Sequence, residues 1–120
     1  MNDRELLELA AKAAGLVIGF SKTSPEQGRP YIWNDEKKKG RWWNPLTDDG
    51  DALRLAVWLR IDVGAGTDPL GTEVCIASHA DKFPGWFEEP YGDNPYAATR
   101  RAIVRAAAEI GRQMQEGGAA

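Results

Sequence analysis

The sequence predicts an α+β domain: a small, mostly antiparallel sheet with three helices packed on its faces, an alpha-beta-alpha sandwich. Three observations predict it. Apolar residues recur at helical spacing in capped segments at the start, middle and end of the chain. The runs between those segments are short and β-rich. Two of them, Tyr31–Trp33 and Arg41–Trp43, flank the turn NDEKKKG, so they read as a hairpin and make part of the sheet antiparallel. Residues 1–116 form this one domain, and Gly117 and Gly118 end the last helix in a frayed tail over 117–120.

In chain order, the first helix covers Asn2 to Ala14. Asn2 and Glu5 make a capping pair, Leu6, Leu9, Ala10 and Ala13 form the stripe, and Gly15 supplies a left-handed stop. Leu16 to Ser21 is a short apolar strand, and prolines between Ser24 and Pro30 turn the chain into the hairpin. Asn44-Pro45 then holds the backbone extended. Thr47, Asp48 and Asp49 are N-cap types, and Asp51 follows Asp48 by three, so the middle helix starts there. Its apolar arc joins Leu53, Ala56 and Val57 to Ala52, Leu55 and Leu59, with Arg54 in water and Trp58 at the arc's edge.

GAGTDPLG reads as a flexible turn. Thr72 to Ser78 is the clearest strand, with Val74 and Ile76 on one face and Cys75 and Ala77 on the other. Two apolar faces predict an inner strand covered by helices on both sides, with Cys75 shielded. Residues 80–93 form an irregular loop. Asn94 and Pro95 open the last helix, whose stripe is Tyr96, Ile103, Ala107, Ile110 and Met114.

A chain of 120 residues, 42% of them hydrophobic, can bury a core without disulfides or metals. Its net charge of −3 argues against general affinity for nucleic acid or acidic membranes. The single cysteine, Cys75, cannot form an internal disulfide, which suits a reducing compartment. Charges scattered through NDRELLELAAKAAG do not read as a signal peptide, and no apolar run reaches the roughly 18 residues of a membrane span. The expectation is a cytoplasmic protein.

Few residue constellations carry chemistry. Cys75 and His79 lie four apart, so an extended strand separates their Cα atoms by roughly 13 Å, too far for a nucleophile and its base. They read as a buried structural cysteine and a strand-end histidine. Asp48, Asp49 and Asp51 miss the calcium-loop pattern and read as helix caps, so no metal is expected. GAGTDPLG lacks the phosphate-loop lysine and the dinucleotide glycine spacing, so no cofactor is expected either. Glu88, Glu89 and Asp93 could supply a carboxylate pair for acid–base work, though adjacent glutamates read as solvent-facing. Arg101, Arg105 and Arg112 follow one side of the last helix, as a solvated face or a partner-binding ridge; Arg105 and Glu109 make an i,i+4 pair.

Two stretches could bind something. The long loop carries Phe83, Trp86, Phe87 and Tyr91 among prolines, glycines and acids. Such aromatics either pin a loop to the core or present a recognition surface. The hairpin sets Lys37, Lys38, Lys39 and Arg41 beside Trp33, Trp42 and Trp43. That mixture suits single-stranded nucleic acid, with rings stacking on bases and cations on phosphates. Its plainer reading is a solvated loop whose tryptophans face the core.

Two passages, WNPLTDDGDALRLAVWLRIDV and NPYAATRRAIVRAAAEIGRQM, resemble small proteins of tailed phages and prophages grouped as the phage alpha-beta-alpha sandwich domain. The matching residues are Trp43, Pro45 and Asp48 before the middle helix, and Ala98, Arg101 and Ala102 opening the last one. The resemblance covers most of the chain from Trp33 onward. It implies a phage-borne origin and an accessory role, with no activity and no catalytic residues to carry over; the lack of a catalytic motif makes the expected protein non-enzymatic. The function expected is therefore binding of a host or phage protein through the aromatic-acidic loop. The alternative is single-stranded nucleic acid on the hairpin.

Overall fold

The computed structural model describes residues 1–118. Its elements in chain order are α1 (Asp3–Ala14), β1 (Val17–Phe20), β2 (Pro30–Asn34), β3 (Lys39–Trp42), α2 (Asp49–Leu59), β4 (Asp62–Thr67), β5 (Glu73–Ser78), β6 (Phe87–Pro90) and α3 (Pro95–Gly118). The fold is α+β with three helices, as the sequence predicts. The strands divide into two antiparallel sheets, β1-β2-β3 and β4-β5-β6, rather than joining in one.

Helix limits follow the capping chemistry. Asn2 accepts the Glu5 amide at 2.8 Å, and α1 stops at Gly15 with φ 71°. Asp48 accepts the Asp51 amide at 2.8 Å to start α2. Asn94 accepts the Ala97 amide at 3.1 Å ahead of α3. Each carboxylate or amide oxygen satisfies a backbone donor that the first helical turn leaves free. α3 runs on through Gly117, beyond the expected stop at 116; Ala119 and Ala120 of the expected tail lie outside the described residues.

α3 is the structural axis. Ala102, Ile103, Val104, Ala106, Ala107, Ala108 and Ile110 are buried, so α3 is covered on more than one side by α1, α2 and the second sheet. Its small residues let neighbours approach closely. A Cβ placed on Gly111 would sit 2.0 Å from the Leu9 carbonyl oxygen of α1. The predicted stripe holds at Ile103, Ala107 and Ile110, but its two ends, Tyr96 and Met114, are exposed. Both lie past the parts of α3 that other elements cover.

α2 differs more from expectation. Its buried side is Asp51, Ala52, Leu55 and Ala56, while Leu53, Val57 and Trp58 face solvent. The helix docks on α3 through a narrow strip, because its first turn is rotated to bring Asp51 against the hairpin.

In the second sheet β5 is central, as predicted, and Cys75 and Ala77 pack into the core beneath α3. The other face is not the second helical layer expected. There Val74 and Ile76 lie beside the bare backbone of Gly66 and Gly64, and Ile76 Cδ1 would be 2.6 Å from a Cβ on Gly66. The stretch expected to be a flexible turn is thus β4, in which Gly66 makes room for the Ile76 side chain while Gly64 borders open space. The irregular loop likewise contains β6. β4 is an edge strand, and its register fixes which groups are free. The Asp68 amide donates to the Thr72 carbonyl, so stepping by two points Gly64 and Gly66 at β5, and Val63, Ala65 and Thr67 outward.

Candidate functional site

The first sheet turns one face inward and leaves the other open. Ile18, Phe20 and Ile32 pack against the core from the inner face, and Trp43, one residue beyond β3, is buried there too. Directly paired residues share a face, so the outer face carries two rows, Val17–Trp33–Gly40 and Gly19–Tyr31–Trp42. Each row contains one glycine, and an aromatic ring lies across it. A Cβ on Gly19 would meet the Tyr31 ring at 2.6 Å, and one on Gly40 would sit 3.3 Å from Trp33 Cε3. Glycine at 19 therefore lets the Tyr31 ring lie low on the sheet, and glycine at 40 spares Trp33 a tight contact.

The result is an aromatic shelf. Trp33 is 39% exposed and Trp42 43%, and Tyr31 meets Trp42 edge-on at 6.4 Å. Trp33 Nε1 donates to Asp35 at 2.8 Å, which fixes the ring's direction. Arg29 lies over the Trp42 ring at 4.3 Å. An open cavity of about 460 Å³ runs along Tyr31, Trp33, Gly40 and Trp42. At the hairpin tip Lys37, Lys38 and Lys39 are exposed, and none of them has an ion-pair partner among the described residues. Of the three tryptophans, only Trp43 faces the core as the plainer reading expected. Strand parity sends its neighbour Trp42 to the opposite side.

Arg41 does not join the lysines. It sits on the inner face and donates to Asp51 at 3.3 Å. Asp51 also accepts from Arg54 at 2.8 Å and from the Asn44 amide at 2.9 Å. Burial works to raise the Asp51 carboxyl; the Asn44 amide, Arg54 and Arg41 outweigh it and hold the group below its ordinary value. This cluster pins the hairpin to α2. In the sequence Asp51 reads only as part of a helix cap.

The aromatic loop is mostly pinned. Phe83 is buried, Phe87 meets it edge-on at 5.5 Å, and Phe87 and Tyr91 rest against the core. Trp86 alone of the four is exposed, with Nε1 donating to Glu88 at 2.9 Å. Glu88 and Glu89 are neighbours on a strand and point to opposite faces. Glu89 pairs with Arg101 and Arg105, so the two carboxylates do not converge as an acid and a base. Asp93 is exposed in the turn before α3.

The remaining candidates have structural partners. Cys75 is buried, and His79 Nδ1 accepts the Asp81 and Lys82 amides at 3.2 Å each, closing a turn at the strand end. Arg101 also reaches Asp3, and Arg112 pairs with Glu109 and Glu116, so the arginines form ion pairs rather than a bare ridge. Glu109 is held below its ordinary value by that Arg112 hydrogen bond, and Arg105 takes Glu89 in place of the expected Glu109. Among the described residues, no group of three or more His, Cys, Asp or Glu is arranged to hold a metal, and no helix is long and apolar enough to cross a membrane.

Tyr31 and Arg29 join the site through the structure. The signal was present in the alternation Arg29-x-Tyr31-x-Trp33, which puts all three on one face of a strand. Comparison with protein-family models, curated proteins and solved structures finds no match for this chain.

Proposed function

We propose that this chain is a non-enzymatic binding protein that takes single-stranded nucleic acid on the outer face of its first sheet. One observation carries the reading: Tyr31, Trp33 and Trp42 share a solvent-facing sheet surface on a hairpin whose tip carries the unpaired Lys37 and Lys38, while Lys39, in phase with Arg41, falls on the other face. Exposed aromatic rings on a sheet stack with bases of any sequence, and nearby cations meet the phosphates. The chain is acidic as a whole, but with Arg29 and Arg41 paired to Glu26 and Asp51, the hairpin still sets Lys37, Lys38 and Lys39 against Asp35 and Glu36, a locally positive balance. A phage-borne accessory role, which the resemblance implies, is compatible with such a module. Capture of a host or phage protein by the aromatic loop would rest on Trp86, since Phe83, Phe87 and Tyr91 are engaged with the core.

Fluorescence anisotropy with labelled single-stranded DNA and RNA tests the reading. At about 50 mM salt the wild type binds, and affinity falls steeply as salt rises. Trp33→Ala weakens binding by roughly 1–3 kcal/mol, the value of one stacked base. Absence of binding at low salt, or equal binding by Trp33→Ala, defeats the proposal.

A further inference from the structure

Beyond the aromatic shelf lies a second cavity, of about 360 Å³, and the two share Trp42 and Arg41. Three arginines line this cleft: Arg29 from the approach to β2, Arg41 from β3 and Arg54 from α2. Two carboxylates, Asp48 and Asp51, line it with them, and Glu26 pairs with Arg29 from outside the lining. Asp51 is buried and already accepts from Arg41, Arg54 and the Asn44 amide. Asp48 caps α2 and lies 3.9 Å from Arg54.

The guanidiniums keep donors in reserve. Arg41 and Arg54 each give Asp51 one hydrogen bond, and Arg29 gives Glu26 one at 3.0 Å. A guanidinium carries several N–H donors in a planar fork, and the rest of each fork has no protein acceptor among the described residues. More than half of the side-chain surface of Arg41 and Arg54 is open, 53% and 61%. Arg29 lies over the Trp42 ring, so its place at the cleft's rim adjoins the same ring that ends the shelf. Thr47 adds a hydroxyl to the lining. Forked donors on three segments that line one cleft, two of them held by the buried Asp51 carboxylate, match the oxygens of a phosphate better than a point charge would.

We propose that the cleft takes the phosphodiester next to a base stacked on the shelf, so that one nucleotide unit of a single strand is gripped on both sides of Trp42. This rests on the nucleic-acid reading above and extends it: the lysine tip supplies diffuse attraction, and the arginine cleft supplies the fixed phosphate contact. Arg41 then has two tasks, holding the hairpin to α2 and facing the strand's backbone.

The test uses anisotropy with an oligothymidylate of about 12 nucleotides, and with the same oligonucleotide carrying uncharged methylphosphonate linkages. Arg54→Gln and Arg29→Gln are compared with wild type, each first checked for an unchanged folded spectrum. Arg29 contacts neither Asp51 nor α2, so its variant stays informative if Arg54→Gln is destabilised. We expect each variant to bind about tenfold more weakly, and the slope of affinity against salt to fall by about one phosphate contact. The methylphosphonate oligonucleotide should bind wild type weakly and lose little more on Arg54→Gln. Inorganic phosphate at millimolar concentration should compete with the wild type and not with the variants if the cleft reads phosphate alone; competition only by the oligonucleotide places the source in the strand. Both variants binding like wild type with an unchanged salt slope, while Trp33→Ala loses binding, overturns the cleft and leaves the shelf standing. A wild type that binds no oligonucleotide overturns both.

Discussion

Asp51 joins three parts of the chain through one side chain. It receives the Asn44 amide from the segment after the hairpin, Arg41 from the hairpin and Arg54 from its own helix. Its folded-state acidity is strengthened, so its contribution is complete above the unfolded value near 3.9 and disappears as pH falls through the lower folded value. Denaturant titrations across an acid series should therefore show stability dropping below about pH 4, and Asp51→Asn should flatten that part of the curve. At neutral pH the same substitution should cost roughly 1–3 kcal/mol, because it leaves hydrogen-bonding groups without a charged acceptor. Of this, only the position was readable in the sequence. Asp48, Asp49 and Asp51 all look like cap residues there. Which one turns inward depends on the rotation of α2 against the hairpin, and that is set by contacts far away in sequence.

The helices were the most legible elements, because their limits depend on local chemistry. Asn2, Gly15, Asp48, Asn94 and Pro95 all act where the sequence places them. Their faces were less legible where the apolar set is broad. In α2 seven of the residues between Ala52 and Leu59 are apolar, so periodicity alone does not choose a side. The structure chooses Ala52, Leu55 and Ala56 and leaves Leu53 and Val57 out. Thermal unfolding of paired variants checks that choice. Leu55→Ala should cost roughly 2–5 kcal/mol by opening a cavity, and Leu53→Lys should change stability by less than about 0.5 kcal/mol. Similar losses from both would mean that α2 is rotated from the position described. Strands β4 and β6 were missed for a related reason: glycine and proline weaken strand signals, and here they pair with β5 at positions where a side chain or an amide donor is not needed.

At the scale of the molecule, α3 holds the second sheet and the other helices, while the first sheet is attached through Ile18, Phe20, Ile32, Trp43 and the Asp51 cluster. That division separates stability from surface. The core surrounds Cys75, and the aromatic shelf lies on the far side of a sheet whose inner face packs on the core. Native Cys75 should therefore react with Ellman's reagent far more slowly than the denatured protein, and Trp33→Ala or Trp42→Ala should leave that rate unchanged. Labelling of the native thiol at the denatured rate would contradict the burial beneath α3. The class of fold was legible because three capped helices and a hairpin admit few arrangements. The division into two sheets was not, because strand pairing is decided between segments distant in the chain.

The free edge of β4 has a consequence for isotope exchange. Gly64 and Gly66 direct their amides to Ile76 and Val74, whereas Val63, Ala65 and Thr67 direct theirs away from the sheet. In deuterated buffer the six-residue strand should thus lose its protons in alternation, fast at the odd positions and slow at the glycines. The glycines, which look like the most mobile residues of the segment in the sequence, would be its protected ones. A strand from any other chain settling on this edge would slow Val63, Ala65 and Thr67 together, so the alternation itself reports whether the edge stands open in solution.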